Sequence, residues 1–137
     1  MVTGATGFIG RQLCQQLRAA GHDLLAYSAT GAESAGSPTR ALDFRERNIA
    51  QADLVGVEVV FHLAGIAHQQ AAANDYGQVN HQAAVELAER AQEAGVRVFI
   101  FLSSVKAMGP ALDGSPRAEQ QLARPVDDYG LSKSRAE

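Results

Sequence analysis

The sequence predicts an α/β domain in which a parallel sheet is wound with helices on both faces. Two observations carry this. Short apolar runs alternate with helical patterns along the chain, the signature of strands joined by crossover helices. A glycine-spaced turn joins the first run to the first helix. Right-handed crossovers then close such an alternation into a doubly wound sheet. The chain has 137 residues, enough for one domain spanning positions 1–137.

Each element follows from the local pattern. Val2 and Thr3 read as the stump of a strand, since one of usual length needs two or three more residues on that side. Ile9, Leu13, Cys14 and Leu17 recur at helical spacing, and Gly21 sits where a helix would stop. Residues 23–28 (DLLAYS) form a short buried strand, and the Gly/Ser-rich residues 29–40 a loop. Ala41 and Leu42 form a third strand ending at Asp43, followed by a helical turn or two over 45–51. Residues 57–63 (VEVVFHL) and 96–102 (VRVFIFL) are the two clearest strands. Between them Val79, Ala83, Leu87 and Ala91 step by four along a long helix that stops at Gly95. Residues 105–127 read as a long loop, a length that in a compact domain usually serves function, and helix resumes around Tyr129. The helical pattern over 132–137 stops midway, so the expectation is a fragment, or a start codon placed late, with the fold incomplete on its C-terminal side.

Composition narrows the function classes. Hydrophobic residues make up 46%, which argues against disorder, and a formal net charge of −3 leaves no basic footprint for nucleic acid or an anionic membrane. Cys14 is the single cysteine, so an intrachain disulfide and a cysteine zinc site are both excluded. His22, His62, His68 and His81 are scattered without metal-ligand spacing. No apolar run approaches a membrane span, and the N-terminal residues lack the basic-then-apolar pattern of a secretory signal. A reducing, cytoplasmic setting is the expectation.

Gly4, Gly7 and Gly10 follow a strand and open a helix. A chain that must turn sharply, approach a pyrophosphate with its backbone and pack its helix tightly on the sheet excludes a Cβ at each such position. The free N–H groups and the dipole of the helix start then favour the anion. The alternative is a tight strand–helix turn without a ligand. In a dinucleotide site an acid at the end of the second strand holds the adenine ribose. Ser28 occupies that place, and it can donate to or accept from a hydroxyl but cannot repel a 2′-phosphate. No arginine follows directly, and Arg11 and Arg40 are the candidates for such a phosphate, so the choice between NAD and NADP stays open. Asp43 contacts the adenine amino group with Phe44 beside the ring, or caps a helix as the first member of an Asp43-x-x-Glu46 box. The small residues of Leu63-Ala64-Gly65 let a cofactor lie across the strand tip, or simply pack closely.

Tyr129 and Lys133 are four apart and share a helix face. A tyrosine, titrating near pH 10 (about 10), is a poor base at neutral pH, and a neighbouring ammonium favours its phenolate. Such a pair moves a proton while hydride goes to or from a nicotinamide. Ser103 and Ser104, at the end of FIFLSS, are placed to supply a hydroxyl donor. The alternative for Tyr129 and Lys133 is two solvated helix residues. Asn80 either bonds active-site backbone or water, or lies on a helix surface. Lys106 meets a phosphate or carboxylate, or is solvated. His68 reads as a loop histidine, and Glu119 as an anchor for the long loop.

Together these residues resemble the extended short-chain dehydrogenase/reductase family, the NAD-dependent epimerase/dehydratase group. The matching segments are VTGATGFIG (2–10), LDFRE (42–46), VVFHLAG (59–65), VN (79–80), FLSSVKAMG (101–109) and YGLSK (129–133), in the family's order. The resemblance implies a Rossmann-type domain binding NAD or NADP through Gly4, Gly7, Phe8, Ile9, Gly10, Ser28, Asp43, Phe44, Leu63, Ala64 and Gly65. It implies Ser104 as the hydroxyl donor, Tyr129 as acid/base, and Lys133 as its partner and the ribose anchor, with no metal. FLSSVKAMG and SPRAEQQLARPVDDYGLSK (115–133) are most similar to nucleotide-sugar 4-epimerases and sugar reductases of surface-polysaccharide pathways, which implies a nucleotide-sugar substrate and an oxidoreductase-type reaction. A homodimer through helices near 77–95 and from 129 onward is implied as well. Family members are roughly twice as long, with the substrate-binding portion after the Tyr-Lys helix, so the expectation is most of a cofactor site and little of a substrate site. The rival reading is a non-catalytic NAD(P)-binding module or an inactive fragment.

Overall fold

A computed structural model describes residues 1–67, 72–110, 116–118 and 120–137. His68 and Glu119 lie outside the described residues. Five strands, β1 (Val2–Thr3), β2 (Ala26–Ser28), β3 (Arg40–Ala41), β4 (Val59–His62) and β5 (Val98–Phe101), form one sheet in the order β3-β2-β1-β4-β5. Every pairing is parallel, with Val2 opposite both Ala26 and Phe61, Tyr27 opposite Arg40, and Val59 opposite Val98. The chain winds outward from β1 in one direction and, after β3, returns to its other side. The switch point therefore falls between β1 and β4, where an open parallel sheet leaves a crevice at its carboxyl edge. The expected doubly wound α/β architecture is the one observed.

Alternation along the strands sorts the core to two faces. Val2, Ala26 and Phe61 pack with Cys14, Leu13 and Leu17 of helix α1 (Phe8–Ala19). Tyr27 and Val60 pack on the other face with Leu87 and Ala91 of helix α3 (Ala83–Glu93) and with Ile49 and Leu54. Cys14 is fully buried on the core face of α1 as expected. Ile9, which shares the helical spacing, is 48% exposed. Gly10 sets the side that faces inward instead: a Cβ there would lie 2.2 Å from the Gly4 carbonyl oxygen.

Three local expectations need correction. Residues 45–51 do not form a helix. A turn follows Asp43, and a 3-10 turn comes later, at Gln51–Leu54. Asn48 draws the chain away from helical geometry, since its amide donates to the Ala83 carbonyl while its Oδ1 accepts from the Ile49 N–H. The long loop begins with a one-turn helix, α4 (Val105–Met108), too short to leave an apolar period in the sequence. The long helix is not uniform. It opens as α2 (Ala73–Asp75), widens into a π-helical segment (Tyr76–Gln82) and tightens into α3. The wider turn presents consecutive residues Val79 and Asn80 to the interior, and such segments recur at functional sites. Helix α5 (Asp128–Ala136) follows, starting one residue before Tyr129. No helix among the described residues is long and apolar enough to cross a membrane.

Candidate functional site

The crevice at the switch point is a cleft of about 460 Å³. Gly4, Gly7, Ser28, Asp43, Phe44, Leu63, Ala64 and Gly65 all line it, so the structure gathers most of the residues singled out for a dinucleotide into one place. Backbone approach explains the glycines. Gly4 has φ +68°, and a Cβ on it would stand 2.7 Å from the Ala64 nitrogen, so β1 and β4 meet there without a side chain between them. Gly7 is the N-cap of α1 and supplies no side-chain cap. The first-turn N–H groups of Phe8, Ile9 and Gly10 therefore have no capping side chain and no intrahelical acceptor at that end. The Phe8 side chain is 89% exposed, and the cleft lining includes Gly4 and Gly7 but not Phe8, Ile9 or Gly10. An uncapped helix start beside a cleft fits an anionic diphosphate.

The two readings of Asp43 share the residue. Its Oδ1 accepts from the Arg45 N–H at 2.9 Å, and its carbonyl accepts from the N–H groups of Glu46 and Arg47. The carboxylate thus caps a turn rather than a helix while lining the cleft, and Arg45 pairs with it at 3.4 Å and with Asp75 at 3.8 Å.

At the other end of the cleft, the strand ends β4 and β5 meet α5. Lys133 is buried, not solvated. Its ammonium donates to the Leu102 carbonyl at 2.8 Å and sits 4.4 Å from the centre of the Phe101 ring. A Cβ on Gly65 would come within 3.5 Å of the Lys133 Nζ and 3.0 Å of Asn80 Oδ1. Burial lowers the Lys133 pKa to about 8, with Glu137 opposing the shift. Tyr129, in the first turn of α5, is half-buried with its ring 6.1 Å from that of Tyr76.

Helix α4, capped by Ser104, docks on α5, which carries Tyr129. Ser104 is the N-cap of α4, its Oγ accepting from the Lys106 N–H at 3.3 Å. Asp127 is the N-cap of α5, accepting from the Gly130 N–H at 2.7 Å. Lys106 joins the caps: its Nζ meets Asp127 at 2.7 Å and lies 5.8 Å from the Tyr129 ring centre, and its carbonyl presses on Gly130. The pair is mutually reinforcing, since Asp127 raises the Lys106 pKa and Lys106 holds the Asp127 carboxyl below its usual range. Ser103, the other serine, instead donates to the Glu137 carboxylate.

Two buried polar groups complete the support. Asn80 accepts from the Ile66 N–H at 2.8 Å, donates to the Ile66 carbonyl at 2.9 Å and donates to Ser132 Oγ at 3.2 Å. Ser132 donates to the Tyr129 carbonyl at 2.7 Å. One side chain thus ties the loop after β4 to the helix carrying Tyr129. Asn80 belongs to the backbone-bonding alternative and not to the helix surface. His62 is fully buried beneath the cleft, with Nδ1 2.8 Å from Thr3 Oγ1. Burial, and secondarily the Lys133 charge, push its pKa down to about 3, so it is neutral. The Asn80–Ile66, Asn80–Ser132, Thr3–His62 and Lys106–Asp127 bonds cross 14 or more positions of sequence and escape local patterns. The Asp127 cap alone had a readable signal, an Asp just before a helix start.

A model of the NAD dependent epimerase/dehydratase family matches residues 1–137. UDP-glucose 4-epimerase of Vibrio cholerae is 33% identical over 145 residues, covering 100% of this chain and 44% of the relative. Ceramide reductase of Caulobacter vibrioides is 34% identical over 149 residues, covering 95% of this chain and 43% of the relative. The solved structure of MoeE5 in complex with UDP-glucuronic acid and NAD superposes with a TM-score of 0.85 at 31% identity, over 98% of this chain and 46% of that one. The chain thus spans less than half the length of these proteins.

Proposed function

The chain belongs to the NAD-dependent epimerase/dehydratase family, and from that premise we propose that it forms the NAD(P)-binding part, with the proton-transfer residues, of an oxidoreductase-type enzyme acting on a nucleotide sugar. Gly4, Gly7 and Gly10 with the first-turn amides of α1 hold the pyrophosphate. Ser28 faces the adenine ribose, Asp43 and Phe44 the adenine, and Leu63, Ala64 and Gly65 the span between. Bound NAD(P) supplies hydride acceptance and return at its nicotinamide. Tyr129 takes the proton from a sugar hydroxyl and later returns it. The buried Lys133 ammonium supports the phenolate and reaches the nicotinamide-side ribose.

The observation that carries this reading is the division of labour between the two serines. Ser104 accepts from a backbone N–H and so keeps its own proton for a substrate oxygen, whereas Ser103 spends its proton on Glu137. A free hydroxyl donor at the corner holding Tyr129, beside a buried ammonium and a glycine-lined cleft, fits proton transfer coupled to hydride transfer. Similarity to a UDP-glucose 4-epimerase and to a protein holding UDP-glucuronic acid with NAD supports a uridine diphosphate sugar as the substrate class.

Titration with NAD and NADP tests the cofactor site, and product analysis after incubation with UDP-glucose or UDP-galactose tests the chemistry. The expected result is saturable binding lost in Gly7→Val and retained in Tyr129→Phe, with sugar conversion lost in Tyr129→Phe and Ser104→Ala. Conversion that survives Tyr129→Phe would remove that residue from the chemistry.

A further inference from the structure

We infer that Ser34, a buried residue on the loop between β2 and β3, is a positioning residue for the glycine turn. Its hydroxyl holds the Ala5 carbonyl and thereby turns the Thr6 N–H to the cleft side, as a further donor to the diphosphate. The inference rests on the dinucleotide site proposed above and adds a residue outside the cleft that shapes it.

The Gly7 N–H donates to the Gly4 carbonyl at 3.0 Å, which closes a β-turn with Ala5 and Thr6 at its centre. The peptide between Ala5 and Thr6 takes no part in that closing bond, so the turn alone leaves it free to rotate. Ser34 removes the freedom. Its hydroxyl donates to the Ala5 carbonyl, which is that oxygen's sole hydrogen bond among the described residues. The peptide is trans, so its N–H points opposite to its C=O. Ala5 and Ser34 are fully buried and do not line the cleft, whereas Gly4, Thr6 and Gly7 do. The Thr6 N–H therefore faces the cleft side, and it has no hydrogen-bond partner among the described residues. The Thr6 carbonyl that follows is held in turn by Arg11 Nε at 2.8 Å.

Ser34 is itself fixed. Its N–H donates to the Ser37 carbonyl at 2.9 Å and its carbonyl accepts from the Ser37 N–H at 3.1 Å. The turn between them has φ +51° at Ala35 and +72° at Gly36. A left-handed alanine is unfavourable and persists only where its surroundings hold it. Arg18 of α1 donates to the Ser34 carbonyl at 3.0 Å and ties the loop to the helix that the glycine turn opens. At the base of the loop, Thr39 Oγ1 donates to the Ala32 carbonyl at 2.8 Å. With that proton committed, Ser28 Oγ donates to Thr39 Oγ1 at 2.7 Å. The loop thus presents one hydroxyl to one carbonyl. Without the hydroxyl that buried carbonyl is unsatisfied, and the peptide gains by turning it toward the open cleft, which withdraws the Thr6 N–H.

Calorimetric titration with NAD, ADP and adenosine, together with amide NMR spectra of the chain, tests this. In the wild type the Thr6 amide proton should move downfield on addition of NAD or ADP and stay in place with adenosine, which carries no phosphate. Ser34→Ala should weaken NAD and ADP about tenfold, the worth of one hydrogen bond to a charged group, and leave adenosine within about twofold. Equal weakening of ADP and adenosine in Ser34→Ala would make the residue a support of the fold alone and overturn the inference, as would an unchanged affinity for NAD and ADP. A Thr6 amide unmoved by bound NAD in the wild type would overturn it too, a result that stands even where Ser34→Ala does not fold. Absence of saturable binding of NAD and ADP by the folded wild-type chain would overturn the cofactor site and this inference with it.

Discussion

The Lys133 ammonium donates to the Leu102 carbonyl at 2.8 Å, so the residue four positions after Tyr129 is anchored to the end of β5 rather than extended into solvent. Its burial has a chemical consequence. The protonated form is disfavoured enough to lower the pKa to about 8. In the unfolded chain a lysine titrates near pH 10.4 (about 10.4). Between these values the unfolded state binds more protons, so stability rises with pH through that window. Denaturant unfolding from pH 8 to about 10.4 should show this slope in the wild type and lose it in Lys133→Met. Under the proposed mechanism the same deprotonation removes the charge that supports Tyr129. Turnover should therefore fall above about pH 8.

His62 titrates on the acid side. Thr3 Oγ1 accepts from the Ala64 N–H at 3.3 Å and lies in hydrogen-bond contact with His62 Nδ1 at 2.8 Å. Its Nε2 has no hydrogen-bond partner among the described residues, and the ring sits amid those of Phe44, Phe99 and Phe101. Burial first, and the Lys133 charge second, disfavour the protonated ring and push its pKa down to about 3. The unfolded histidine titrates near pH 6.5 (about 6.5), so this contribution is fully present above that pH. It is lost progressively as pH falls toward the folded value. Acid unfolding should take up about one proton more in the wild type than in His62→Gln, measured by the pH dependence of the unfolding midpoint.

Asp127 has two partners of unequal worth. As N-cap it satisfies the Gly130 N–H, and Asp127→Ala should cost about 1 kcal/mol of stability. Its ion pair with Lys106 is solvent-exposed and screened, so Lys106→Ala should change stability far less. Because the cap starts the helix that carries Tyr129, Asp127→Ala should also reduce kcat more than KM, and Asp127→Ser, which restores the cap without the charge, should recover most of the loss. Thermal unfolding and steady-state kinetics on the three variants check this. Equal effects from Asp127→Ala and Lys106→Ala would assign the ordering to the ion pair.

Much of this protein follows from local pattern. The alternation of apolar runs with helical periods is a short-range property, and it determined the parallel strands, their order along the chain and the doubly wound class. The three glycines belong to the same level, because a sharp strand–helix turn with close backbone approach leaves few other residues. They place a cleft where β1, β2 and β4 end, and Ser28, Asp43, Phe44 and Leu63-Ala64-Gly65 line it as their positions at strand ends require. The failures are equally physical. A single turn such as α4 is too short to show a period, and the π-helical segment shifts the helical face at Val79 and Asn80 in a way that no 3.6-residue pattern carries.

What only the tertiary structure decided is the partner of each polar group. The sequence left Ser28 able to donate or accept, Lys133 solvated or functional and Lys106 bound or free, and it separated Ser104 from Ser103 only through the family resemblance. Each was resolved by a contact from a distant or separately folded segment: Thr39 for Ser28, Leu102 for Lys133, Asp127 for Lys106, Glu137 for Ser103. Backbone periodicity is set by neighbours along the chain. The direction of a hydroxyl proton and the burial of an ammonium are set by neighbours in space, and those exist only once the sheet and its helices have packed.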